Sequence, residues 1–234
     1  MPRTALHVSP HPDDEVLGAG ATLMELRDAG WRVVNLAVTL GRPADWDRRR
    51  EELERAIDVM GIEGVVADPP VAMSGSSDLE QAQKQVAELV VNEARRLDAE
   101  LVISSHPEDG HHAHRVVGRA VGDVAGGLPE GPVRWWAWSL WRDVPDPNRY
   151  VPYGEARLRE LLWAMRQHAG EVLRNRYDEL VPARGRTQAI LGSERVFGFG
   201  SGGASGERYA DLFEDRLRSG SEWVPAPSSL GISI

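Results

Sequence analysis

The chain contains no cysteine. That excludes disulfides and thiolate metal sites, so any metal must be held by nitrogen and oxygen donors. Lysine occurs once, at Lys84, and the rest of the basic side chains are arginine. The net charge is −9 and no long basic run is present, which argues against a nucleic-acid partner. No stretch approaches the roughly 18 uninterrupted apolar residues of a membrane helix. Residues 4–8 begin without the charged and apolar regions of a signal peptide. Together with the missing cysteines, this gives the expectation of a cytoplasmic chain with no membrane partner. Aromatic residues are scarce at 6%, yet four of the eight tryptophans crowd into 135–141.

The scarce residues give way to two dense polar clusters. The first is Ser9-Pro10-His11-Pro12-Asp13-Asp14-Glu15. An apolar run at 5–8, short enough for a buried strand, precedes it, and a helical pattern over 16–29 follows. One imidazole and three carboxylates on a strand-to-helix turn repel unless something cationic relieves them. Imidazole nitrogen and carboxylate oxygen suit zinc, and a catalytic zinc site keeps three protein ligands and one open position. One aspartate can then ligate while the other accepts a proton from the attacking water. The competing reading, that Asp13 and Asp14 only cap a helix, is weakened by the second cluster. Ser105 to His114 holds four of the seven histidines and again follows an apolar run, 101–104, and precedes a helical pattern, 115–125. His111 and His114 are spaced to face one way as a helix begins.

The rest of the pattern alternates strand and helix, which predicts an α/β chain. Strands are expected at 32–40, near 64–67, at 100–105, 133–140 and 194–200. Helices are expected at 46–60, 79–97, 155–168, 178–191 and 209–217. Gly18 and Gly20 are read as packing positions. Trp136 and Trp138 fall on one face of their strand and Trp135 on the other. Residues 69–77 and 142–153 read as loops, the latter a candidate lid, with Trp141 a candidate wall of a sugar pocket. The Gly/Ser-rich stretch 198–206 lacks the lysine and the strand-to-helix setting of a phosphate loop. The length suits one domain over 1–224 with a loose tail over 225–234.

His11-Pro12-Asp13-Asp14-Glu15, with the later Gly110-His111-x-x-His114-Arg115, resembles the PIG-L/LmbE-like zinc-dependent N-deacetylases. The resemblance is strongest over 4–62 and 99–122. It implies a single Rossmann-like three-layer domain with a mainly parallel sheet. It implies zinc, with iron(II) as the alternative, on His11, Asp14 and His114. Asp13 would be the general base, and His111 the oxyanion donor or acid. Arg49 and Asp78 fall where such proteins contact substrate, although Asp78 equally suits a helix N-cap and 48–52 a solvated face. His168 falls near a family histidine, but its following residues differ.

The implied function is hydrolysis of an N-acetyl amide on an amino-sugar conjugate of N-acetylglucosaminyl type, as in antibiotic biosynthesis, with a small-molecule partner. The alternatives are an amidase of mycothiol-conjugate type and a catalytically impaired sugar-binding module. The chain departs from the family pattern at Ala113, where an aspartate usually orients the neighbouring histidine. Asp109 and Glu108 are the candidates to replace it.

Overall fold

β1 (Thr4–Ser9), β2 (Arg32–Ala37), β3 (Glu63–Val66), β4 (Leu101–Ser105) and β5 (Arg134–Trp138) pair in parallel, in the order β3-β2-β1-β4-β5. The computed structural model describes residues 2–73, 78–201 and 205–233. Parallel strands need long crossovers, and helices supply them. α1 (Asp14–Leu17) and α2 (Gly20–Asp28) follow β1, and α3 (Trp46–Met60) follows β2. α4 (Leu79–Leu97) leads into β4, and α5 (His112–Asp123) leaves it. Both sheet faces are therefore covered, and β1 and β4 are buried along their whole length.

Alternation along β5 sorts the tryptophans as the sequence predicts. Trp135 packs with Val86, Val90 and Val117 on the α4/α5 side, whereas Trp136 and Trp138 pack with Leu23, Met24 and Leu161 on the other. Gly18 is a close-approach position, since a Cβ there would lie 2.4 Å from the Trp138 ring. Gly20 is another, facing Leu161 at 2.4 Å. The helix expected over 16–29 is divided at this point into α1 and α2.

The C-terminal half departs from the expectation. Residues 149–153, read as loop for their prolines, form β6 (Arg149–Tyr153). Pro152 lies beyond the two residues paired with β9 (Ser229–Leu230), where a missing N–H costs little. α6 (Glu155–Met165) and α7 (Ala169–Asn175) are followed by α8 (Tyr177–Phe197), a helix that takes up residues 194–197 of the strand expected at 194–200, and no strand forms there. The helix expected at 209–217 is the long strand β7 (Tyr209–Ser219). It pairs antiparallel with β5, with β6 and with β8 (Glu222–Pro225). Its three acidic residues are buried and individually paired: Asp211 accepts from Thr22 N and Oγ1, Glu214 pairs with His106, and Asp215 with Arg134 and Arg149. The expected tail is likewise corrected, because Ser229–Leu230 joins the sheet and Arg149 donates to the carbonyls of Gly231 and Ser233. Residues 74–77 of the loop expected at 69–77, and 202–204 of the Gly/Ser-rich stretch, lie outside the described residues. Among the described residues, no helix is long and apolar enough to cross a membrane.

Candidate active site

Strand order reverses between β1 and β4: β2 and β3 extend to one side, β5 to the other. In open parallel sheets, the crevice beyond the strand ends at such a reversal is where ligands bind. Both polar clusters leave the sheet here, the first after Ser9 and the second after Ser105.

The first cluster is held in a tight, strained turn. Asp13 has φ 115° and ψ −28°, in the left-handed region that a non-glycine residue enters at a cost of about 1–3 kcal/mol. Its surroundings fix it there. The Asp13 N–H donates to Glu15 Oε2 at 2.9 Å, and Arg49 Nη2 donates to the Pro12 carbonyl at 2.8 Å. Ser9 Oγ donates to the His11 carbonyl at 2.5 Å. The other Glu15 oxygen accepts a hydrogen bond from His168 Nε2 at 2.5 Å, with both side chains fully buried. His168 is therefore joined to the motif across 153 residues of sequence.

The second cluster delivers two histidines to the same point. Asp14 Oδ2 lies 3.0 Å from His11 Nδ1 and 3.3 Å from His114 Nε2. His11, His111 and His114 also bring one ring nitrogen each within 4.8 Å of one another. Tetrahedral zinc with ligands at about 2.0–2.1 Å has neighbouring donors roughly 3.3 Å apart, so the His11, Asp14 and His114 donor set fits such an ion. The other two histidines serve elsewhere. His106 Nε2 donates to Glu214 at 2.8 Å and its Nδ1 accepts from the Glu108 N–H, while His112 Nε2 donates to the Met73 carbonyl.

His114 is braced from behind. Its Nδ1 lies 3.3 Å from Asp109 Oδ1, and Trp138 packs edge-on to its ring at 5.3 Å. Trp138 Nε1 donates in turn to His7 Nε2, and His7 Nδ1 donates to Asn35 Oδ1. Asp109 Oδ2 accepts from Ser139 Oγ and from the Leu140 N–H. Burial raises the Asp109 carboxyl, but the His114 contact and the His111 and Leu140 N–H donors outweigh it and bring it to about 2. Of the two replacements considered for the missing aspartate, Asp109 is thus occupied with His114, and Glu108 is exposed beside Arg142. Ala113 is buried in the α4/α5 core, and His111 Nδ1 has no hydrogen-bond partner among the described residues. Burial, then the neighbouring imidazoles, push His111 down to about 4, which leaves it a neutral imidazole.

The adjacent aspartates are driven apart. Burial and Asp14 raise Asp13 well above the ordinary carboxylate range, with Arg49 opposing. Burial also acts on Asp14, but His114 and His11 hold it well below that range. Such separation is how neighbouring carboxylates come to take different roles.

His11, Asp13, Asp14, Arg49, His111 and His114 all line one cavity of about 170 Å³. Arg49 sits 3.6 Å from Asp13 and is buried, so it steadies the Asp13 turn as well as facing the cavity. Asp78 does not join them: its side chain accepts from the N–H groups of Glu80 and Gln81 and caps α4. Trp141 does line the cavity, together with Glu171, Arg174 and Tyr177, which the sequence reading missed. Glu171 lies 3.8 Å from Arg49, and no local motif marks it.

The PIG-L family model, described as GlcNAc-PI de-N-acetylase, matches residues 6–125, just over half the chain. A diacetylchitobiose deacetylase of Thermococcus kodakarensis is 29% identical over 129 residues, covering 50% of this chain and 46% of that protein. A probable N-acetyl-α-D-glucosaminyl L-malate deacetylase 2 of Bacillus cereus is 30% identical over 147 residues, covering 56% of this chain and 64% of that protein. The match thus spans less than two thirds of either relative. Among solved structures, the N,N′-diacetylchitobiose deacetylase of Pyrococcus horikoshii superposes with a TM-score of 0.67 at 19% identity, covering 91% of this chain and 83% of that one. At that identity the likeness speaks for the fold alone.

Proposed function

We propose that this chain, which belongs to the PIG-L family, hydrolyses the N-acetyl amide of an N-acetylglucosaminyl-type amino-sugar conjugate, releasing acetate and a free amine. One observation carries the reading. Asp14 Oδ2 stands between His11 Nδ1 and His114 Nε2 at ligand spacing, and the cavity they line also receives Asp13 and His111.

In this reading His11, Asp14 and His114 hold a divalent cation, zinc or iron(II). Such a cation, when bound, polarises a carbonyl and makes water a nucleophile near neutral pH. Every other task falls to side chains. Asp13 accepts the proton that the attacking water loses as the new C–O bond forms. The raised Asp13 carboxyl suits a base that must later return that proton. The neutral His111 ring offers an N–H to the developing oxyanion. As the C–N bond breaks, the proton held by Asp13 passes to the departing nitrogen. The fixed Asp13 turn keeps these atoms in register, because small misplacements are costly in such reactions. Arg49 can reach sugar hydroxyls from the cavity wall while it holds Pro12. A cytoplasmic setting and a small-molecule substrate belong to the same reading.

The test is metal content and acetate release on one preparation. Asp13→Asn is expected to keep the metal and lose about 10²–10⁴-fold in turnover. His11→Ala and His114→Ala are expected to lose the metal. If Asp13→Asn loses the metal instead, the division of roles between the two aspartates is wrong. If metal binds and no N-acetyl sugar is turned over, the amidase of mycothiol-conjugate type becomes the better reading.

A further inference from the structure

Asp78, the acid that the resemblance places against substrate, caps α4 and is absent from the candidate site. In the proposed reaction Asp13 handles the proton and Asp14 the cation. A third carboxylate nevertheless lines the cavity. Glu171 borders the catalytic cavity of about 170 Å³ and also an adjoining hollow of about 460 Å³, which lies between α7 and the loops after β2 and β3. Its side chain is only 3% exposed. An ionised carboxylate only accepts hydrogen bonds, so whatever meets Glu171 from the cavity must donate.

One oxygen of this carboxylate is anchored and the other is not. Oε2 accepts from Arg174 Nη2 and, at 3.3 Å, from Asn175 Nδ2, both one turn further along α7. Oε1 faces Arg48 Nη2 at 3.6 Å and Arg49 Nε at 3.8 Å, which is beyond hydrogen-bond reach. Among the described residues no donor comes closer to Oε1, and it is not sealed from the cavity. Arg49 Nε likewise has no hydrogen-bond partner, so the two side chains face each other without closing. Their spacing is held from α3. Glu52 accepts from the Gly170 N–H at 3.0 Å and from Arg48 Nη1 at 2.7 Å, which pins the start of α7. The charges around Oε1 balance, with Arg48, Arg49 and Arg174 against Glu171, Glu52 and Asp13. A neutral donor fits that balance, whereas an ammonium group would add a buried charge without a partner. The neutral donors of an amino sugar are its hydroxyls. A hydroxyl that shares a cavity of about 170 Å³ with the reacting amide belongs to the same sugar ring.

We infer that Glu171 is a specificity-determining residue of this site, its Oε1 accepting a hydrogen bond from one hydroxyl of the reacting sugar in the role for which Asp78 is out of place. The inference rests on the deacetylase reading for the reaction and adds how the sugar is recognised.

The test uses the metal-loaded full chain with the methyl glycoside of N-acetylglucosamine and its monodeoxy analogues, each lacking one free hydroxyl. A hydrogen bond to a charged acceptor is worth about 10–10²-fold, so one analogue should lose that much in kcat/KM on the unmodified chain. Glu171→Gln keeps the shape of the side chain. Glu171→Asp keeps the charge that faces the guanidinium groups but draws the oxygens back by one methylene. Each should lower kcat/KM for the complete sugar, lose most of the discrimination against that one analogue, and leave metal content unchanged. A residue that only steadied Arg49 or α7 would not be coupled to a single hydroxyl. Variants that discriminate among the sugars as the unmodified chain does overturn the assignment, and so does an unmodified chain that turns over all of them equally. Acetate from none of the sugars sinks the deacetylase reading instead. Calorimetric binding of the same sugars then decides the role of Glu171. A loss of affinity for one analogue that disappears in Glu171→Asp supports it; equal affinities, or no binding to the unmodified chain, overturn it.

Discussion

His168→Ala should cost this protein both stability and turnover, by a route that leaves the metal in place. The His168 ring is fully buried and donates a hydrogen bond from Nε2 to Glu15 Oε1 at 2.5 Å. Glu15 has one other partner at this end, the N–H of Asp13 at 2.9 Å. Removing the imidazole leaves a carboxylate with no exposed surface and half its hydrogen bonding gone. Breaking such a buried pair from one side costs about 3–5 kcal/mol. For a chain of this size each kcal/mol shifts the melting temperature by about 2–4 °C, so a fall of about 10 °C is expected.

The second consequence is local. Asp13 stands at φ 115° only because its surroundings outweigh about 1–3 kcal/mol of strain. With Glu15 free to turn, the Asp13 carboxyl moves, and a displacement near 1 Å costs about 10²-fold in rate. Acetate release should therefore show kcat falling about 10²-fold with KM and metal content little changed, because neither His168 nor Glu15 is among the proposed ligands. His168→Gln keeps a donor of similar reach and should recover much of both losses. A lower melting temperature with unchanged kcat would refute the positioning argument and leave His168 a core residue. Loss of metal would mean that the Glu15 contact holds Asp14 rather than Asp13.

Gly18→Ala puts a methyl group 2.4 Å from the Trp138 ring; overpacking of this kind costs about 1–3 kcal/mol, and thermal unfolding should show it. Because Trp138 packs on His114, the same variant should also weaken binding of the proposed divalent cation in a chelator competition. Arg149→Met leaves the buried Asp215 with Arg134 alone and should be more destabilising than the double change Arg149→Met, Asp215→Leu, as chemical denaturation would reveal. Burial alone would lower the His114 imidazole, but Asp14 and then Asp109 push it up to about 10. The metal-free site thus carries a proton there at neutral pH that a cation must displace, and affinity should rise roughly tenfold per pH unit from about 7 towards 10. Calorimetry in buffers of different ionisation enthalpy should read about one proton released per ion, and no release would contradict it. For the metal-free fold the sign is the reverse. The pKa is raised, so this contribution to stability is complete below about 6.5 and is lost as pH climbs through about 10.

The parts of this protein legible in the sequence are those whose physics is local. His11 and Asp14 are three residues apart on one turn, and His111 and His114 three apart at a helix start, so each cluster advertises its geometry. The apolar runs before them mark the two strand ends, and the parallel sheet brings those ends together. What escaped is the pairing of residues far apart in the chain that no local motif marks. His168 reaches Glu15 across 153 residues and Glu214 reaches His106 across 108.

The misreading of β7 has the same origin. Asp211, Glu214, Asp215 and Arg216 look like the charged face of a surface helix, because buried charges are rare and a sequence does not name their partners. In the fold each of the three acids meets a specific donor brought by another element: Thr22 from α2, His106 after β4, Arg134 from β5 and Arg149 from β6. These pairs sit where the parallel half of the sheet joins the antiparallel half. An acid buried there is costly in any other arrangement, since each lost partner leaves an unpaired charge in the interior. The charges that concealed the strand from the sequence reading therefore specify its register against β5 and β6. They also connect that register to the candidate active site, because the turn that carries His106 against Glu214 continues into Asp109, His111 and His114.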